Sequence, residues 1–200
     1  ELIPSEPLQL DSNKMDAFFD ELRIGGLVVI QDNQLKYERF GLDSTTATKW
    51  TSFSVAKSIT STLVGAAIKD GYIKSLDDKV TDYVVSMKGS VYDEVTIEQL
   101  MTMTSGVDWN EDYKDPNSDV SKFNFHESEE EGVDAIASYM RQLKWAHPPG
   151  TKWHYSTGET NLIGLVLLRA IDQPLADYFS TKIWSKIGPE YDASWVLGPS

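Results

Sequence analysis

The chain has 200 residues, of which 40% are hydrophobic and six are tryptophan, and it carries a formal charge of −13 at pH 7. That length holds one good core, or one and a half domains, and the composition is that of a folded globular chain rather than a disordered one. The negative balance argues against a nucleic-acid partner, which needs clusters of Lys and Arg. No apolar run approaches the length of a membrane span. With no cysteine there is no disulfide, no thiolate metal site and no cysteine nucleophile. That usage suits a cytoplasmic and a periplasmic or secreted protein equally. The opening residue is Glu1 rather than Met, which a removed leader and a late start explain equally well.

In chain order, residues 1–10, with two prolines, read as an extended arm. Asp11 or Ser12 caps a helix carrying Met15, Phe18, Phe19 and Leu22, which ends near Gly25-Gly26. Residues 27–30 read as a buried strand, Asp32-Asn33 as a turn, and residues 34–40 as a second strand. Two strands alone are marginal in water, so this part calls for more. A polar stretch leads to Ser54, after which Ile59, Leu63, Ala66 and Ala67 recur at helical spacing until Gly71. The spacing predicts a helix that opens at Ser54.

Ser75-Leu76-Asp77-Asp78 begins a short helical turn ahead of Val80, Tyr83 and Val84. Thr96-Ile97-Glu98-Gln99 is a capping box, starting a helix through Leu100 and Met103 that stops at Ser105-Gly106. Residues 108–131 are acidic, aromatic and without periodicity, and a loop of that length in a compact domain is often functional. Residues 133–143 read as a helix that His147-Pro148-Pro149-Gly150 breaks, residues 159–171 as a strongly apolar helix, and residues 175–187 as an amphipathic one. There is no internal repeat. The chain thus reads as a sheet-bearing part over residues 1–50 and an α-rich part over residues 51–200.

Ser54-Val55-Ala56-Lys57 is the only Ser-x-x-Lys in the chain. At average residue usage such a pair arises by chance about once in this length, so its context has to decide. On a helix, positions i and i+3 share a face, which puts the Lys57 amine beside the Ser54 hydroxyl. A serine is a poor nucleophile until a neighbouring base takes its proton, and free N–H groups at a helix start favour developing negative charge. Pro149-Gly150 and a short extended stretch place Tyr155 on a fixed loop. A phenol held near an ammonium has its ionised form favoured, so Tyr155 is a candidate for passing protons between Ser54, Lys57 and a leaving group. The alternative for Tyr155 is a half-buried core aromatic. Trp109 and Tyr113, in the long aromatic loop, either line a substrate pocket or pack the loop onto the helices.

These motifs in this order, Trp50-Thr51-Ser52-Phe53 before Ser54-Val55-Ala56-Lys57, then Thr96-Ile97-Glu98-Gln99-Leu100-Met101-Thr102-Met103-Thr104-Ser105-Gly106-Val107, then Pro149-Gly150 before Tyr155, resemble the serine β-lactamase-related family. The likeness is to its class C-like branch of carboxylesterases, penicillin-recognising hydrolases and 6-aminohexanoate-dimer hydrolases. Trp109-Asn110-Glu111-Asp112-Tyr113-Lys114-Asp115-Pro116 looks especially like the last group. The resemblance implies a β-lactamase/transpeptidase-like fold, an α/β part with an antiparallel sheet packed on an all-α part. It further implies Ser54 as the acylated nucleophile, Lys57 as its base or proton partner, and Tyr155 as the tyrosine of the family's Tyr-x-Asn motif. Thr157 stands where that motif has Asn, which would contact a substrate carbonyl. A hydroxyl donates one hydrogen bond and cannot present both amide groups, so the departure points away from β-lactams and toward esters or simple amides.

Family members are close to twice this length. Their third motif lies on a strand beyond the tyrosine, which also supplies one N–H of the oxyanion hole; the other belongs to Ser54. The expectation is therefore an N-terminal portion with an incomplete sheet, whose missing C-terminal portion is a second chain or the rest of the parent protein. No metal is expected, because His126, His147 and His154 form no zinc-binding spacing. No cofactor is implied, since there is no Gly-rich phosphate loop. Nor is there a Gly-x-Ser-x-Gly elbow for a Ser-His-Asp triad. Ser105 reads as a helix cap. The sequence thus points to a serine hydrolase cleaving a small-molecule ester, amide or lactam through an acyl-enzyme. The alternative is a penicillin-binding-like sensor or binding module without turnover.

Overall fold

The computed structural model describes residues 3–4 and 6–196. Residues 1, 2 and 5 of the N-terminal arm, and the chain end 197–200, lie outside them. The chain divides into two units, one running to Ser52 and joined by Gly188–Asp192, the other comprising Phe53–Ile187 with the residues from Ala193.

In the first unit, β1 (Ile3–Pro4) precedes α1 (Ser12–Leu22), β2 (Gly26–Gln31) and β3 (Gln34–Phe40). Asp11 caps α1, its side chain accepting from Lys14 N. Arg23 closes the helix in the left-handed conformation, two residues ahead of the glycines that mark its end in sequence. Asp32 and Asn33 both have positive φ, 53° and 58°, as a two-residue turn between antiparallel strands requires. The sheet order is β1-β3-β2; β2 and β3 pair antiparallel with a bulge between Val29 and Ile30, and β1 runs parallel to β3. The third strand comes from the arm. Phe19 is the buried residue of α1, with the Arg39 guanidinium 4.2 Å above its ring and held there by Asp16 at 2.8 Å.

The second unit opens with a 3-10 turn, Phe53–Val55, leading into α2 (Ala56–Lys69). Then come α3 (Val80–Tyr83), α4 (Ile97–Met101), α5 (Asp119–Phe123), α6 (Ala135–Met140), α7 (Thr157–Ile171), α8 (Leu175–Phe179) and α9 (Ser185–Ile187). Helix α7 is the hub. Leu162, Ile163, Leu165, Val166, Leu167 and Ile171 are all buried, and it packs against α2, α4 and α6. A helix apolar on most sides is one surrounded by others.

Several boundaries differ from the sequence reading, each for a local reason. The 3-10 turn carries Ser54, so the α-helix proper begins at Ala56. The capping box of Thr96 and Gln99 is formed, but α4 stops at Met101 because Met103 takes φ 54°. Asp134 caps α6, shortening the expected helix at its start. A π-helical segment, Ser180–Trp184, separates α8 from α9 where one helix was expected. Ser105 caps no helix; its hydroxyl accepts from Val107 N at 3.0 Å and donates to Glu159. The long loop is folded: it contains α5, buries Trp109 and Val120, and is tied by Asp119, which accepts from Asn110 N at 2.8 Å and from Tyr139 Oη at 2.9 Å.

Among the described residues no helix is long and apolar enough to cross a membrane, and no group of three or more His, Asp or Glu is placed to hold a metal ion.

Candidate active site

Ser54 and Lys57 enter from the first turn leading into α2, and Tyr155 and Thr157 from the residues where α7 begins. Ser156 caps α7 in an extended conformation, its side chain accepting from Glu159 N at 3.2 Å. The approach to it is pinned by backbone bonds from Gly150 N to Thr104 O at 2.7 Å and from His154 N to Met103 O at 2.8 Å. Side chains at 155 and 157 then fall either side of a buried cap.

These two starts converge on one oxygen. The Tyr155 hydroxyl donates to Ser54 Oγ at 2.8 Å, and Lys57 Nζ donates to the same atom at 3.2 Å. Lys57 Nζ also lies 5.0 Å from the centre of the Tyr155 ring. Phe53, the residue before Ser54, has φ 45°. A bulky side chain pays for the left-handed region, and such strain gathers at functional turns.

Burial pushes the Tyr155 phenol up, but hydrogen bonds with Ser54 and Lys57, helped by the Lys57 charge, outweigh it and leave the phenol below its ordinary value of 10.0. The Glu111 carboxylate opposes that fall. A serine hydroxyl therefore sits against a phenol biased toward its basic form, with an amine bridging them.

Around this trio lies a second set of contacts. Thr157 Oγ1 accepts from Lys57 Nζ at 3.2 Å and donates to Glu111 Oε1. Thr157 N donates to Glu111 Oε2 at 2.9 Å, and Trp109 Nε1 donates to that same oxygen. Tyr113 Oη donates to Glu111 Oε1 at 3.0 Å and lies 3.3 Å from Thr157 Oγ1. Trp109 is 3% exposed, its indole edge-to-face with Phe123 and Tyr139. Tyr113 is 64% exposed. Glu111, which sequence reasoning passed over, is thus the residue on which Trp109, Tyr113 and Thr157 all meet. Its place between Trp109 and Tyr113 was the available signal, but nothing in the local pattern points it at a threonine 46 positions on.

A cavity of about 430 Å³ opens beside this cluster, walled by Glu111, Asp112, Trp153 and Tyr155 among others. The histidines are engaged elsewhere: His154 with Trp109 O at 2.6 Å, His126 with Ser138 Oγ at 3.1 Å, His147 with Lys152 Nζ at 3.1 Å.

The β-lactamase family pattern matches residues 13–190. The chain belongs to the β-lactamase family. Among curated relatives, the 6-aminohexanoate-dimer hydrolase of Paenarthrobacter ureafaciens is 30% identical over 145 residues, covering 70% of this chain and 36% of the relative. A β-lactamase of Pseudomonas fluorescens is 26% identical over 189 residues, covering 90% and 49%. The solved structure of a Bacillus anthracis protein, provisionally titled a 6-aminohexanoate-dimer hydrolase, superposes with a TM-score of 0.72 at 22% identity, covering 87% of this chain and 47% of that one. The fold of this family member is accordingly β-lactamase/transpeptidase-like. The chain spans about half the length, or less, of the curated relatives it matches.

Proposed function

We propose that this β-lactamase-family chain is a serine hydrolase that cleaves an ester or amide bond of a small molecule through an acyl-enzyme on Ser54. The observation that carries the reading is the convergence of Tyr155 Oη at 2.8 Å and Lys57 Nζ at 3.2 Å on Ser54 Oγ. Hydrogen-bond reach between nucleophile and base, with the base itself held by a third group, is the arrangement an activated serine needs.

In the reactive form Tyr155 has lost its phenol proton to solvent, the ionised state that Ser54 and Lys57 favour. Ser54 Oγ attacks the substrate carbonyl carbon while its proton passes to that phenolate oxygen. The Ser54 backbone N–H, at the entry to α2, favours the negative charge that develops on the carbonyl oxygen. Tyr155 then hands the proton to the departing alcohol or amine, leaving Ser54 acylated. Water attacks the acyl group, gives its proton to Tyr155, and Ser54 recovers it as the acid leaves. The names of the two curated relatives, a 6-aminohexanoate-dimer hydrolase and a β-lactamase, support a substrate with a carbonyl bonded to nitrogen.

The test is turnover of a p-nitrophenyl ester, nitrocefin and the 6-aminohexanoate dimer. Hydrolysis of at least one is expected, abolished by Ser54→Ala and reduced nearly as far by Lys57→Ala, since groups acting as one unit are non-additive. Wild-type activity in either variant, or an acyl group that stays on Ser54 without release, overturns the reading.

A further inference from the structure

Thr157 has a single hydroxyl hydrogen and three polar neighbours: Glu111 Oε1, Lys57 Nζ at 3.2 Å and Tyr113 Oη at 3.3 Å. Glu111 Oε2 is filled by two obligate donors, Thr157 N and Trp109 Nε1. Its Oε1 takes the hydroxyls of Thr157 and Tyr113, so four donors meet the four lone-pair sites of a carboxylate. A carboxylate so surrounded only accepts. The Thr157 hydrogen is committed to it, and the Thr157 lone pairs face Lys57.

We infer that Glu111 and Thr157 form a polarised relay that fixes Lys57 against Ser54, which makes both of them positioning residues and leaves Thr157 with no hydrogen to offer a substrate carbonyl. The consequence for catalysis rests on the proposal that Ser54 is the nucleophile; the relay itself rests on the contacts above. Direction is the point of the device. An ammonium held at one side by a threonine that can only accept, and at the other by Ser54 Oγ, has two of its hydrogens assigned and little freedom to turn toward solvent. Tyr113 and Trp109 act one step further out, by holding the carboxylate. Trp109 is locked in turn by its aromatic neighbours, so the relay is anchored in the core of the unit.

Glu111→Gln replaces one acceptor by a donor. With Oε2 required by two N–H groups, the amide nitrogen takes the Oε1 place, donates to Thr157 and turns the Thr157 hydrogen toward Lys57, donor against donor. Thr157→Val removes the link while leaving Glu111 its backbone and Trp109 partners, and Thr157→Ser restores it. Two readouts serve: the rate at which a fluorophosphonate labels Ser54, and the Lys57 ¹³Cε resonance, assigned by its loss in Lys57→Ala.

Glu111→Gln and Thr157→Val should each slow labelling by about 10²-fold, the scale of a misplaced reacting group. The double variant should be no slower than the slower single, because both cut one chain. Thr157→Ser should label at the wild-type rate. The Lys57 resonance should move in both disruptive variants and stay in the conservative one. Should Glu111→Gln fail to fold, Thr157→Val carries the test alone. Labelling and a Lys57 resonance unchanged in Thr157→Val overturn the relay. An unlabelled wild-type chain would sink the hydrolase proposal instead, and the resonance alone would then decide the relay.

Discussion

Tyr155 is pulled two ways, upward by burial and the Glu111 charge, downward by its bonds to Ser54 and Lys57, and the downward pull wins. If the phenol is the base, acylation of Ser54 rises with pH as the proton leaves Tyr155. Because that phenol lies below 10.0, the acidic limb of kcat/KM should fall below pH 10. Tyr155→Phe should remove that limb and cost about 10² to 10⁴ in rate, the usual worth of positioned acid–base catalysis. A limb that survives the substitution would assign it to another group. A second titration belongs to Glu159, 3% exposed, which accepts from Ser105 at one oxygen. Burial pushes it up from 4.5 to about 8, against the Ser105 bond that lowers it. The folded chain therefore holds this proton where the unfolded chain has released it. Below about 4.5 both states are protonated and there is no penalty; stability falls as pH rises from there to about 8, and is level above. The total is several kcal/mol, at ~1.36 kcal/mol for each pH unit between the two values. Glu159→Gln should flatten the fall of Tm with pH over that window; an unchanged slope would show the carboxyl to be relieved in some other way.

At the scale of elements, the legible parts were those where two local signals agreed. Thr96 and Gln99 satisfy each other's backbone as the capping box requires, and Asp32-Asn33 sit between two strand-forming segments and adopt the left-handed pair of a hairpin turn. Ser54 and Lys57 were legible for the same reason, being three apart on a chain about to become a helix. The relay was not. Glu111 and Thr157 are joined only because the long loop folds its Trp109 into the core beside the start of α7, and no periodicity encodes that. The fit is close at one backbone position. A Cβ on Gly158 would lie 2.7 Å from both Met140 Sδ and Trp109 Cζ3. Gly158→Ala should therefore wedge α7 from α6, destabilise by about 1–3 kcal/mol as overpacking does, and displace the indole that holds Glu111. Denaturant unfolding together with the Ser54 labelling rate would show it; a variant of wild-type stability would mean that Met140 simply swings aside.

Over the whole molecule, every side chain given a role in the proposed chemistry lies in the unit spanning Phe53–Ile187, whose core is built on α7. The same helix that buries Leu162, Val166 and Leu167 presents Thr157 at its first position and Glu159 beneath it. Packing and site are thus one construction: the apolar body of α7 fixes the start from which Tyr155 and Thr157 reach Ser54 and Lys57. The extended arm supplied a third strand that the sequence did not announce, since a two-residue strand has no pattern of its own. All of the proposed chemistry depends on Ser54 being an activated nucleophile. Intact-mass spectrometry before and after a fluorophosphonate, with peptide mapping, tests it most directly. A single adduct is expected, on Ser54, lost in Ser54→Ala and strongly slowed in Lys57→Ala. An adduct on another residue, or none on the wild-type chain, would contradict it.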